Sequence, residues 1–214
     1  MFRPAVLALA LLLLALLAHA QSPRVAAPGA TAPRTVLVMG DSLSAAYGLS
    51  APQGWVALTG ARIATSHPGW RVVNASISGE TTAGGAARIG AQLKRVKPSV
   101  VVIALGANDG LRGLPLVQTR ANLDRMIVAS KAAGARVLLV GMRIPPNYGR
   151  DYTQGFEANY AALAKRRSVP LVPFLLAPIA ADRANFQDDN LHPVAAAQPK
   201  IRDHVWKALD PLLR

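Results

Sequence analysis

Short unbroken apolar runs alternate along the chain with longer segments whose apolar residues return every three or four positions. The runs cover 35–39, 70–75, 99–105 and 135–142, with a shorter one at 169–172 that contains Pro170 and stops at Pro173. Continuous rather than alternating apolarity suits strands covered on both faces. The periodic segments predict helices over 55–65, 83–96, 116–133, 155–167 and 195–213. In the third, Leu116, Leu123, Ile127 and Val128 share one side, with Arg120, Asp124 and Lys131 elsewhere, and Gly134 suits the position just past the helix end. Strands alternating with helices predict an α/β fold: one parallel sheet with helices on both faces, a three-layer α/β/α sandwich over residues 35–214. Such sheets bind ligands at the carboxyl ends of their strands, so chemistry is to be sought just after each run.

The first twenty residues fall outside this pattern. Arg3 precedes an apolar run over 5–18, and Ala18-His19-Ala20 is a small-x-small cleavage site, which together read as a secretory signal peptide. The run is shorter than the ~18 apolar residues a membrane span needs, although an uncleaved anchor is the alternative reading. Residues 21–34 are rich in Ala, Pro, Gly, Ser and Thr and read as a flexible leader, giving an exported chain, periplasmic or secreted.

Composition then removes several classes. The 214 residues contain no cysteine. That excludes disulfide frameworks, zinc ribbons, a thiol nucleophile and a lipid anchor on a new N-terminal cysteine. The 24 Lys and Arg against 11 Asp and Glu give a net charge of +13. Losing Arg3 with the signal lowers it to +12. The cations are scattered along the sequence, with Lys165-Arg166-Arg167 the densest run, and only 5% of residues are aromatic. No nucleic-acid partner is expected from that pattern; a solvated basic face is the plain reading, and peripheral contact with an anionic membrane is an open alternative.

Four segments after the strands carry candidate chemistry. Gly40-Asp41-Ser42-Leu43-Ser44 follows the first run, where Ser42 would stand exposed above the sheet, although such letters also make ordinary turns. Gly79 follows the second, where a missing Cβ lets a backbone N–H approach a ligand oxygen, a plain turn being the alternative. Glu80, Thr81 and Thr82 read as caps of the next helix. Asn108, in Gly106-Ala107-Asn108-Asp109-Gly110, carries an amide that can donate to a developing negative charge, or it simply makes an Asx-turn. Late in the chain stands Gln187-Asp188-Asp189-Asn190-Leu191-His192-Pro193. A carboxylate three residues before a histidine can hold Nδ1 and leave Nε2 free as a base, which is what an unreactive serine hydroxyl needs. A divalent-metal site from Asp41, Asp109, Asp188, Asp189 and His192 is the weaker alternative. His67 and His204 read as structural.

In this order, the four segments resemble the blocks of the GDSL or SGNH hydrolases. Within that family the likeness is to the bacterial periplasmic acyl-CoA thioesterase, lysophospholipase and arylesterase group, and extends to Gly110-Leu111-Arg112-Gly113 and to the 143–149 segment. The resemblance implies a flavodoxin-like sheet and a catalytic triad of Ser42, His192 and Asp189. It further implies an oxyanion hole from the N–H groups of Ser42 and Gly79 and the side chain of Asn108, and a substrate groove bordered by Ile144, Pro145, Pro146 and Tyr148. The expected substrates are small acyl esters, thioesters or lysophospholipids, handled by a monomer with no cofactor and no metal. A carbohydrate O-acetyl esterase is the alternative the same blocks would serve.

Overall fold

A computed structural model describes residues 33–214. The expectations for residues 1–20, and for most of the leader, lie outside the described residues. Five strands form the sheet: β1 (Arg34–Gly40), β2 (Trp70–Asn74), β3 (Val100–Ala104), β4 (Arg136–Val140) and β5 (Leu171–Val172). All neighbours are parallel, in the order β2-β1-β3-β4-β5. Val36 pairs with Val72 on one side and Val100 on the other, which sets the register of the central strands.

The two faces sort by alternate residues, as the pleat requires. Val36, Val38, Val100, Val102, Leu138 and Val140 face α1 (Trp55–Ser66) and, later in the chain, the helix Gln198–Leu209. Leu37, Met39, Val101, Ile103, Val137 and Leu139 face the other layer. That layer comprises α2 (Thr82–Val96), α4 (Leu116–Ala132) and α5 (Arg150–Arg167). These strand side chains are essentially inaccessible to solvent, so each contributes roughly 1.5–3 kcal/mol relative to an exposed position. The unbroken apolar runs are therefore the signature of a sheet buried on both sides, the expected α/β/α sandwich.

Some boundaries differ from expectation for local reasons. β1 begins at Arg34, whose pairing with Trp70 extends the ladder one residue beyond the apolar run. Helix α5 starts at Arg150, five residues early, because its polar first turn of Arg150, Asp151, Thr153 and Gln154 conceals the apolar period that Phe156, Tyr160 and Leu163 establish. The expected helix 195–213 is divided: a 3-10 turn Ala195–Ala197, then α6 (Gln198–Leu209), then a 3-10 turn Asp210–Leu213 that contains Pro211, which has no N–H to continue the ladder. A short helix, α3 (Ala107–Leu111), occupies the place where the sequence suggested an Asx-turn.

Strand order reverses direction between β1 and β3. The chain leaves β1 toward β2 on one side, then returns past β1 to build β3, β4 and β5 on the other. The crevice that this opens at the carboxyl ends of β1 and β3 is where such sheets bind ligands. Ser42 follows β1 and Asn108 follows β3.

Candidate active site

Immediately after Gly40, the chain turns sharply. The Asp41 carbonyl accepts from the N–H groups of Ser44 (3.1 Å) and Ala45 (2.9 Å), and the Asp41 carboxylate accepts from Leu43 N–H at 3.0 Å. This turn lifts Ser42, half-buried, above the sheet edge. Asn74, at the end of β2, braces it from the side: its amide donates to Ser44 O at 2.8 Å while its oxygen accepts from Ser76 N–H.

Across the crevice, the loop over 187–193 brings up the histidine. Ser42 Oγ lies 2.8 Å from His192 Nε2, and His192 Nδ1 lies 2.6 Å from Asp189 Oδ2. The other Asp189 oxygen accepts the N–H groups of Leu191 (2.9 Å) and His192 (3.0 Å). Those bonds, that from the His192 backbone first among them, hold the Asp189 carboxyl down at about 2 despite partial desolvation, so it is an anion at neutral pH. Asp188 has no part in this chain. Its carbonyl accepts from Asn190, whose backbone adopts φ +60 to make the turn.

On the far side of Ser42 stand Gly79 and Asn108. Gly79 has φ +79, a conformation that favours glycine, and its carbonyl accepts from Arg112 Nη2 at 3.1 Å. Asn108 sits in the first turn of α3. The preceding Gly106 has φ +123, and a Cβ there would run into the Tyr160 hydroxyl, so only glycine lets α3 start where it does. Asn108 Nδ2 donates to Glu80 O at 3.0 Å. One amide hydrogen is thus fixed, which sets the orientation of the side chain and leaves the second hydrogen available. Beneath, buried Asp109 accepts from the Thr82 backbone N–H at 2.8 Å and from its hydroxyl, tying α2 to α3. Thr81 caps α2, accepting from Gly84 N–H, as expected.

From Ser42 an apolar groove of about 440 Å³ runs toward β4 and β5. Ile144, Pro145 and Pro146 line it, together with Leu111, Met142 and Phe174, while Leu191 and His192 close the other end. Tyr148, grouped with the groove by sequence, stands outside the lining; its hydroxyl donates to Leu111 O at 2.7 Å and braces the wall from behind.

Two contributors were not legible in the sequence. The ring of Tyr47 covers the His192 imidazole with centroids 4.4 Å apart. Gln187 donates from Nε2 to Tyr47 O (3.0 Å) and Pro193 O (3.1 Å), clamping the Ser42 turn to the His192 loop. Neither side chain has a motif of its own, since each acts across more than 130 positions of sequence.

The remaining histidines lie away from Ser42. His67 ends α1 beside Trp206 and Asp210, and His204 Nε2 meets Phe174 O at 3.0 Å from within α6. Among the described residues no three His, Asp or Glu side chains are placed to hold a metal ion.

Comparison with known proteins places this arrangement. Residues 38–198 match the GDSL-like Lipase/Acylhydrolase family. The chain is 50% identical to Esterase TesA of Pseudomonas aeruginosa over 182 residues, covering 85% of this chain and 90% of that protein. It is 45% identical to Thioesterase 1/protease 1/lysophospholipase L1 of Escherichia coli K12 over 184 residues, covering 86% and 87%. The crystal structure of TesA superposes with a TM-score of 0.81 at 49% identity, covering 84% of this chain and 99% of that one. With a serine–histidine–aspartate chain at the carboxyl end of a parallel sheet and a match over most of its length, the chain belongs to the GDSL-like lipase/acylhydrolase family.

Proposed function

We propose that the protein is an exported serine esterase that hydrolyses acyl esters and thioesters through an acyl-enzyme. The observation that carries this reading is the continuous chain Asp189–His192–Ser42, with links of 2.6 and 2.8 Å, at the mouth of an apolar groove. The activities named for the relatives, esterase, thioesterase and lysophospholipase, support the same class. Export rests on the sequence of residues 1–20.

In this mechanism Ser42 Oγ attacks the acyl carbonyl carbon as its proton passes to His192 Nε2. Asp189, an anion at neutral pH, keeps the Nδ1 proton in place and stabilises the imidazolium. Charge developing on the carbonyl oxygen is met by the N–H groups of Ser42 and Gly79 and by the free amide hydrogen of Asn108. Collapse breaks the bond to the leaving oxygen or sulfur, which takes the proton from Nε2. Water then repeats the sequence on the acyl-serine, giving the carboxylic acid and restoring Ser42. The apolar lining favours an acyl chain over an acetyl group on a sugar, whose hydroxyls would find few partners there.

The test is Ser42→Ala with p-nitrophenyl acyl esters. The variant should keep the wild-type circular dichroism and lose hydrolysis; undiminished turnover in the folded variant would overturn the assignment.

A further inference from the structure

We propose that the face at the amino ends of the strands, opposite the groove, is a docking surface for an anionic lipid bilayer. The basic residues look scattered in sequence, but the topology gathers them. In a parallel sheet with crossover helices, every helix descends from the carboxyl end to the amino end. Its last turn therefore lands beside the first residues of the strands. Lys94 and Arg95 end α2, Lys131 ends α4, and Lys207 ends α6. Lys165, Arg166 and Arg167 end α5. Arg34 and Arg136 open β1 and β4, and Arg71 is the second residue of β2, at the same end of the sheet.

Contacts knit these cations into one surface. The guanidinium carbons of Arg34 and Arg136 lie 4.6 and 5.9 Å from the Trp70 ring centre. Lys131 Nζ donates to Arg167 O at 2.8 Å, and Arg136 donates to Arg214 O at 2.9 Å. Apart from half-buried Arg167, all are exposed. The carboxylates among them, Asp124 and Asp210, are paired with Arg167 and Arg214. At the groove end the carboxylates Asp188 and Asp189 are exposed beside Arg143 and Arg150, so that end mixes both signs.

Helix dipoles account for cations in last turns. They do not account for the arginines at the starts of the strands, which stand at no helix terminus. The charge spreads across the ends of five strands, about 19 Å, rather than lining a cleft. Trp70 within it is 5% exposed and offers no face for a base to stack on. A broad cationic face without stacking groups fits a planar anionic surface better than a nucleic-acid strand. Docked this way, the groove opens away from the lipid, and the bound enzyme works on dissolved substrate.

The exported form, beginning at Gln21, is cosedimented with vesicles of phosphatidylcholine, alone or with one-third phosphatidylglycerol, at low and high salt. Binding should be stronger on the anionic vesicles and should fall with salt. Each removed cation should weaken it by about fivefold, so Lys94→Gln, Lys165→Gln and Lys207→Gln together should cost on the order of 10²-fold. A control carrying Arg120→Gln, Arg125→Gln and Lys200→Gln should bind as wild type. Equal loss in the control, equal binding to neutral vesicles, or equally tight binding to a short DNA duplex would each overturn the proposal. Hydrolysis of a soluble ester should proceed at the same rate on and off the vesicles, and suppression by binding would overturn the orientation. Binding is measured on Ser42→Ala as well, so failure of the catalytic reading leaves the docking result distinguishable.

Discussion

The Tyr47 ring rests on the imidazole of His192, centroids 4.4 Å apart and planes tilted by 38°. It restricts the base to the plane in which Nε2 meets Ser42, and it shields one face of the His192–Asp189 pair. Tyr47 is itself 51% exposed, so its burial contributes little to the fold. An aromatic pair of this kind contributes about 0.5–1.5 kcal/mol. Tyr47→Ala is therefore expected to lower kcat by about two- to tenfold, and Tyr47→Phe, which keeps the ring, to retain wild-type rates. Steady-state kinetics of the two variants checks this; a Phe variant as impaired as Ala would shift the role from ring to hydroxyl.

In the proposed mechanism Asn108 offers one amide hydrogen to the developing oxyanion, Glu80 O holding the other. That donation strengthens only as charge appears, so its loss should fall on kcat and spare KM. Asn108→Ala is expected to reduce kcat by on the order of 10²- to 10³-fold. Thermal unfolding measured alongside separates this from any loosening of α3; an unchanged kcat would remove Asn108 from the oxyanion hole.

Asp41, 2% exposed directly beneath Ser42, has its carboxyl pushed up to about 7, burial being the main cause and the Leu43 N–H bond opposing it. The unfolded chain gives up this proton near 3.8, whereas the folded chain keeps it until about 7. Between those values the native state holds the extra proton, so this group's contribution to stability falls as pH rises and is level above 7. Asp41→Asn keeps an oxygen for Leu43 N–H and removes the titration. Its stability relative to wild type should therefore improve by a few kcal/mol between pH 4 and pH 8. Urea midpoints across that range test the sign, and a constant difference would show that Asp41 is ionised in the folded state throughout.

The sheet was legible because strands buried on both faces must be apolar at every position, and 99–105 and 135–142 could hardly be anything else. Ser42, Asn108 and His192 were legible because each falls in a short segment just past a strand or late in the chain, where the fold puts its chemistry. Tyr47 and Gln187 were not, since their partners are fixed only by the packing of two distant loops. The start of α5 was hidden by the polar residues of its first turn. The placement of the cations was not legible for a related reason: the descent of the helices collects at one end of the sheet residues that are far apart in sequence.

The groove makes the acyl preference calculable in outline. It leads from Ser42 after β1, past Ile144 after β4, to Ala180 beyond β5, three strand spacings or about 14 Å across the sheet. Each methylene that enters leaves water and gains about 0.8 kcal/mol, or roughly fourfold in kcat/KM while space remains. A series of p-nitrophenyl esters should thus rise steeply from acetate, then level once the chain reaches the β5 end. Ala180 stands at that end without touching the reacting atoms. Ala180→Trp should leave the acetate and butyrate rates unchanged and bring the plateau forward by several carbons. A profile that peaks at acetate would favour the sugar O-acetyl reading instead. A plateau that Ala180→Trp fails to shorten would mean that the chain leaves the groove before it reaches β5.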